Sequence, residues 1–138
     1  MWTPDPATII TAEMKAQAAR AKAEAAVNAE RHRRILAGTV IDGVHVTGRD
    51  EDALNLTNLA LVAQLRIAGG DMTTPTVYRD GGNVDHELTP PQVLSLWQQS
   101  AAYVSALYAA SWAIKAMDPM PEDVAADELW LQNEGDQP

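Results

Sequence analysis

No cysteine and no phenylalanine occur among the 138 residues. The first absence excludes disulfides, thiolate metal sites and a cysteine nucleophile, and it leaves the redox compartment open. The second, with aromatics at only 5%, leaves alanine to carry much of the 46% apolar content. Alanine buries little area, at roughly 25 cal/mol per Å² of what it has. A chain this thin in large side chains is expected to gain stability from helix pairing or oligomerisation. Uncharged apolar runs are short, and none reaches the roughly 18 residues of a membrane span. The opening "MWTPDPATII" has no charged region followed by an apolar core, so no secretory signal is expected. These features describe a soluble protein made in the cytoplasm, with no membrane partner.

Positive charge is also scarce and unevenly placed. Residues 1–34 hold Lys15, Arg20, Lys22, Arg31, Arg33 and Arg34 against Asp5, Glu13, Glu24 and Glu30, a balance of +2. The remainder carries −11 of the overall −9. Such a body repels phosphate backbones, so a nucleic-acid role would rest on the N-terminal segment alone. No nucleic-acid partner is therefore expected.

What is present is helical punctuation. After a lead containing Pro4 and Pro6, residues from about Ala7 to Ala37 read as one helix of strong helix formers. Its best heptad frame sets Met14, Ala21, Asn28 and Ile35 at one seam position and Ala18, Ala25 and His32 at the other. A solvated helix laced by charge pairs is the plain alternative. Gly38 stops the helix. Asp42-Gly43, between β-branched residues, signals a tight hairpin with Thr39, Ile41, Val44 and Val46 on one side. Asp50 is expected to cap a second helix, "EDALNLTNLALVAQLRIAGG". Its leucines and valine spread almost all round, which predicts burial on most sides or a subunit contact.

A second hairpin turns at Asp80-Gly81-Gly82-Asn83 between Thr76–Arg79 and Val84–Leu88. Thr89 and Pro90 start a third long helix. Val93, Leu96, Trp97, Ala101, Val104, Leu107, Tyr108, Ser111 and Trp112 form its expected core stripe. Its opposite face is small and nearly uncharged. Pro119 and Pro121 end it, and "PEDVAADELW" reads as a short last helical turn. The expected fold is α+β: a long N-terminal helix, two β-hairpins forming a small antiparallel sheet, and two further helices packed on it. The expected divisions are 1–37 (lead and Ala-rich assembly helix), 38–131 (compact α+β domain) and 132–138 (acidic, flexible tail).

Candidates for chemistry are few. His32, His45 and His86 do not pair at helical metal spacing. In a strand Asp85 and Glu87 point away from His86. The carboxylate runs Asp50-Glu51-Asp52 and Glu122-Asp123 sit at helix starts, where the dipole explains them. The serines of the third helix occupy no nucleophile elbow, and no phosphate loop occurs. No enzyme activity, cofactor or metal is expected. Trp97, Tyr108 and Trp112 read as core, Trp130 as core or anchor, and Trp2 as a docking anchor.

Read in order, "RHRRILAG", "TVIDGVHV", "TGRDEDALNLTNLALVA", "LTPPQVLSLWQQSAAYVSALY" and "PEDVAADELW" resemble a family of unknown function found in tail proteins of tailed bacteriophages and prophages, often beside or within tail-fibre genes. The resemblance spans roughly residues 20–130, and Arg33, Arg34, Gly38, Gly43, Asp50 and Asn58 carry it most. It implies a virion or tail-assembly role with no catalytic residues. Two departures stand out: Ile41 replaces an aromatic, and no fibre domain precedes the motif. The expectation is a small accessory subunit of the tail, in the virion, joined to other tail proteins. It would form a homo-oligomer, a trimer before a dimer. Met14, Ala18, Ala21, Ala25, Asn28, Ile35 and Trp2 are the expected contact residues. A tail-fibre assembly chaperone, absent from the finished particle, is the alternative.

Overall fold

The structure, a computed structural model, describes residues 11–131. Its elements run α1 (Ala12–Ala37), β1 (Thr39–Ile41), β2 (Val44–Val46), α2 (Asp50–Ala68), β3 (Thr76–Arg79), β4 (Asp85–Leu88), α3 (Pro90–Lys115) and α4 (Asp127–Trp130). The class is α+β, as the alternation of helix and hairpin signals predicts. The first helix begins later than its composition suggests. Thr11 is the N-cap, its hydroxyl accepting from the Met14 amide, so α1 starts at Ala12; residues 7–10 of the expected helix lie outside the described residues.

The first hairpin takes the expected register, while the second gives Val84 to its loop, so its returning strand begins at Asp85. Thr39 pairs with Val46 and Ile41 with Val44, while Thr76 pairs with Leu88 and Arg79 with Asp85. Asp42 and Gly43 both have positive φ, as a two-residue turn matching strand twist requires. The hairpins do not merge into one sheet; each is a separate two-stranded antiparallel ribbon. Three-residue strands are too short to offer a long free edge. The ribbons join at a corner instead: Gly81 N–H donates to the His45 carbonyl (2.9 Å), and the Asp80 carboxylate accepts from His45 N–H (3.3 Å).

Two apolar clusters form the core, and α3 passes through both. In the first, Ile41, Val44 and Val46 of hairpin one meet Leu56 of α2, Tyr78 of hairpin two and Leu96 of α3. In the second, Val27 of α1 meets Leu107 and Ile114 of α3 and Trp130 of α4. Val27, Leu107 and Ile114 are essentially inaccessible, each stabilising by about 1.5–3 kcal/mol. Hence α2 lies against the first half of α3 and α1 against the second.

Several local expectations change on this arrangement. Arg49, not Asp50, is the N-cap of α2, and its side chain makes no capping bond. Thr47 instead donates its hydroxyl to Asp52. At α3 the expected cap is present in fuller form, because Thr89 and Gln92 complete a reciprocal capping box. Tyr108 and Trp112 are not core: they are 38% and 62% exposed, while Ile114 is buried. The cause is angular. α1 meets α3 along Leu107, Ser111 and Ile114, a ridge centred roughly 95° around the helix from Tyr108 and roughly 135° from Trp112. α2 buries Leu56, Ala60 and Ala63 and leaves Leu54, Leu61, Val62 and Leu65 exposed.

Candidate interaction surface

Helix α1 is anchored by its C-terminal half. Between Ala23 and Ile35 the covered positions are Ala23, Glu24, Val27, Glu30, Arg31, Arg34 and Ile35, one face at helical spacing. The Arg20 guanidinium donates to the Lys115 carbonyl at the end of α3 (2.6 Å) and pairs with Glu24 (3.2 Å). Every residue from Thr11 to Lys22 is exposed. From Ala12 to Ala19 the helix runs on for about 12 Å before Arg20 reaches α3.

The expected contact seam falls away from the body. Met14, Ala18, Ala21, Ala25 and Asn28 are all exposed, with Met14 at 52%. At 100° per residue their mean direction lies roughly 140° from Val27, so core and seam occupy different sides of one helix. Ile35 is different, being half-buried against the second cluster. Its methyl group also closes over Gly48, where a β-carbon would collide with Ile35 Cγ2. It supports the body and does not extend the free seam. Trp2 lies outside the described residues. His32 is exposed beside the seam.

The arginines after the seam have acceptors within the chain. Arg31 donates to Asn28 Oδ1 (3.2 Å) and to the buried Ser111 hydroxyl (3.0 Å), with its guanidinium 4.4 Å from the centre of the Tyr108 ring. Arg33 forks onto both oxygens of Glu30. Arg34 is 7% exposed and donates to Glu30 (2.9 Å), the Ala125 carbonyl (3.0 Å) and Asp127 (2.7 Å), over the Trp130 ring. The hydrogen bond from Arg33, and next in kind that from Arg34, holds the Glu30 carboxyl below its usual range against the opposing effect of burial. The cluster is thus a clasp between α1 and the α4 segment. Glu30, Arg33 and Arg34 show their helical spacing in the sequence. Asp127 and the Ala125 carbonyl lie more than ninety residues away and leave no such trace. Trp130 resolves as core: it is buried, with its indole N–H donating to the Val124 carbonyl (2.8 Å).

The histidines have structural neighbours too. His45 donates through Nε2 to the Ala37 carbonyl (2.8 Å), tying hairpin one to the end of α1. His86 Nε2 lies 2.7 Å from Asp80 Oδ2. That hydrogen bond, with those from the Val84 and Gly82 amides, holds Asp80 well below the carboxylate range. Among the described residues, no three His, Asp or Glu side chains converge as a metal site requires. No described helix is long and apolar enough to cross a membrane.

An open groove of about 910 Å³ runs along α3 beside the second cluster, lined by Ala102, Ala106, Ala109 and Ala113 with Val40 and Leu129. It is the small-residue face expected from sequence, open to solvent and without a cluster of polar groups that would mark a reaction centre.

No curated protein and no solved structure matches this chain. A family model does, over residues 18–129, from the middle of α1 to α4. The match takes in the anchored half of α1, both hairpins and the Arg34 clasp. The chain belongs to the family described as Domain of unknown function (DUF4376).

Proposed function

We propose that this chain is a non-enzymatic structural or accessory component of a phage tail, in the fibre or baseplate region, that docks or oligomerises through α1. The observation that carries the docking mode is the exposure of Met14, Ala18, Ala21, Ala25 and Asn28 along a helix whose other side is fixed to the core. Small side chains at such a seam let a second helix approach closely, and Asn28 sets register. The tail assignment rests on the resemblance of the "RHRRILAG" to "PEDVAADELW" segments to tail-associated domains. Other tail proteins are the partners in this reading, the site is the virion tail, and neither nucleic acid nor membrane is engaged.

The test compares full-length wild type with Ala21→Glu in a phage carrying the gene. Wild type is expected in purified particles by mass spectrometry at constant stoichiometry, and Ala21→Glu is expected to be lost from them while remaining folded in the lysate. Equal incorporation of both overturns the α1 docking mode. Absence of the wild type from particles, with association to tail proteins before assembly, selects the assembly-chaperone alternative.

A further inference from the structure

The largest group of exposed apolar side chains on one described element belongs to α2. Leu54, Leu61 and Leu65 are 64%, 55% and 74% exposed, with Val62 at 44% beside them. Their spacing sets the three leucines in one stripe, with exposed Asn58 completing it. Together the apolar four present on the order of 400 Å², within the range of the largest apolar patch on a single chain, which is often functional. That is roughly half of what one partner gives a standard interface, before the flanking polar residues are added.

Charge identifies the occupant. Residues 53–65 carry no charged side chain, although the chain as a whole is −9. A second copy brings the same repulsion everywhere except across a neutral face of this kind. The ends of α2 are polarised: Asp50, Glu51 and Asp52 fill its first turn and Arg66 its last.

We propose that α2 pairs with α2 of a second copy, antiparallel, about a two-fold axis level with the middle of the stripe. Leu54 of one copy then packs on Leu65 of the other, and Asn58 lies beside Leu61. The acidic first turn of each copy meets the last turn and Arg66 of its neighbour, and the helix dipoles oppose. A parallel pair would instead bring two acidic turns together. The contact is isologous and closes as a dimer. It uses no residue of the α1 seam and does not rest on the tail assignment.

Light scattering on the full chain across a wide concentration range is expected to show a rise to twice the monomer mass. Leu61→Glu, at an exposed position, is expected to weaken the dimer on the order of a hundredfold with an unchanged circular dichroism spectrum; Leu65→Gln serves if Leu61→Glu misfolds. Because the chain has no cysteine of its own, oxidation of mixed Leu54→Cys and Leu65→Cys proteins is expected to give mixed covalent dimers, and either protein alone to give few. A wild type that stays monomeric overturns the proposal, as does a Leu61→Glu chain that dimerises like wild type. Preferential bridging of Leu54→Cys to itself refutes the antiparallel pairing. If Ala21→Glu disperses the oligomer and Leu61→Glu does not, the α1 contact stands and this one fails.

Discussion

Replacing Arg34 by methionine keeps an apolar stem over Trp130 and removes the hydrogen bonds to Glu30, Ala125 and Asp127. The Glu30 arm is covered on both sides, at 8% and 10% side-chain exposure, and a charge-assisted bond there is worth about 1.5–3 kcal/mol. The Asp127 arm ends on a carboxylate that is 79% exposed, so it adds at most about 1 kcal/mol. The Ala125 carbonyl loses its donor at about 1 kcal/mol. Arg33 remains on Glu30, so the penalty of about 3–5 kcal/mol for a stranded buried ion does not apply. The expected loss is about 2.5–5 kcal/mol.

Urea unfolding followed by circular dichroism reads that loss as a midpoint lowered by about 1–2 M at unchanged slope. The neighbouring substitution is the control. Arg33 shares Glu30 but is 63% exposed, so Arg33→Met is expected to cost no more than about 1 kcal/mol. Hydrogen exchange adds a spatial readout, since α4 amides should lose protection in Arg34→Met and keep it in Arg33→Met. Equal destabilisation of the two variants, or an Arg34→Met chain within about 0.5 kcal/mol of wild type, refutes the claim that this guanidinium holds α4 to α1.

Gly38→Ala is expected to cost more than about 2 kcal/mol in the same assay. Its φ is +72°, and a β-carbon there would collide with the Val46 carbonyl oxygen. Asp80→Asn tests the corner between the hairpins through its pH dependence. The folded carboxyl is held below its ordinary value near 3.8, so its contribution is complete above that pH and is lost as pH falls through it towards the lower folded value. Thermal melts should therefore show wild type ahead of Asp80→Asn at neutral pH, with the gap closing in acid below about pH 3.8; a gap that is flat with pH contradicts the assignment.

Local signals in the sequence reached the elements, and long-range ones did not. Gly38, Asp42-Gly43, Asp80 to Asn83 and Thr89-Pro90 each punctuate the chain where the structure turns or begins a helix, because backbone conformation at those positions is a property of one or two residues. The register of the first hairpin followed from its turn, while the loop of the second took one residue more than its turn signal marks. The core of α3 was harder to read. Its apolar residues occur on more than one side, and which side is covered depends on where α1 arrives, so Trp112 and Ile114 exchange roles. The same limit applies to Arg34, whose helical partner is visible four residues away while Asp127 and Ala125 are not. The seam on α1 was legible as a pattern, but its separation from the body required knowing that Val27, Glu30 and Arg34 form the anchored side.

No glycine or proline interrupts α1 between Ala12 and Ala37, and Arg20 locks it to the carbonyl end of α3. The exposed half therefore continues the anchored helix without a break, as a lever and not a tether. A partner gripping Met14 and Ala18 would fix the orientation of the hairpins and α3 along with it, and force on the grip would pass through Val27 straight into the core. Two assemblies built on such a joint should differ little in the angle at which this domain stands, whereas a linker in the same place would let that angle wander.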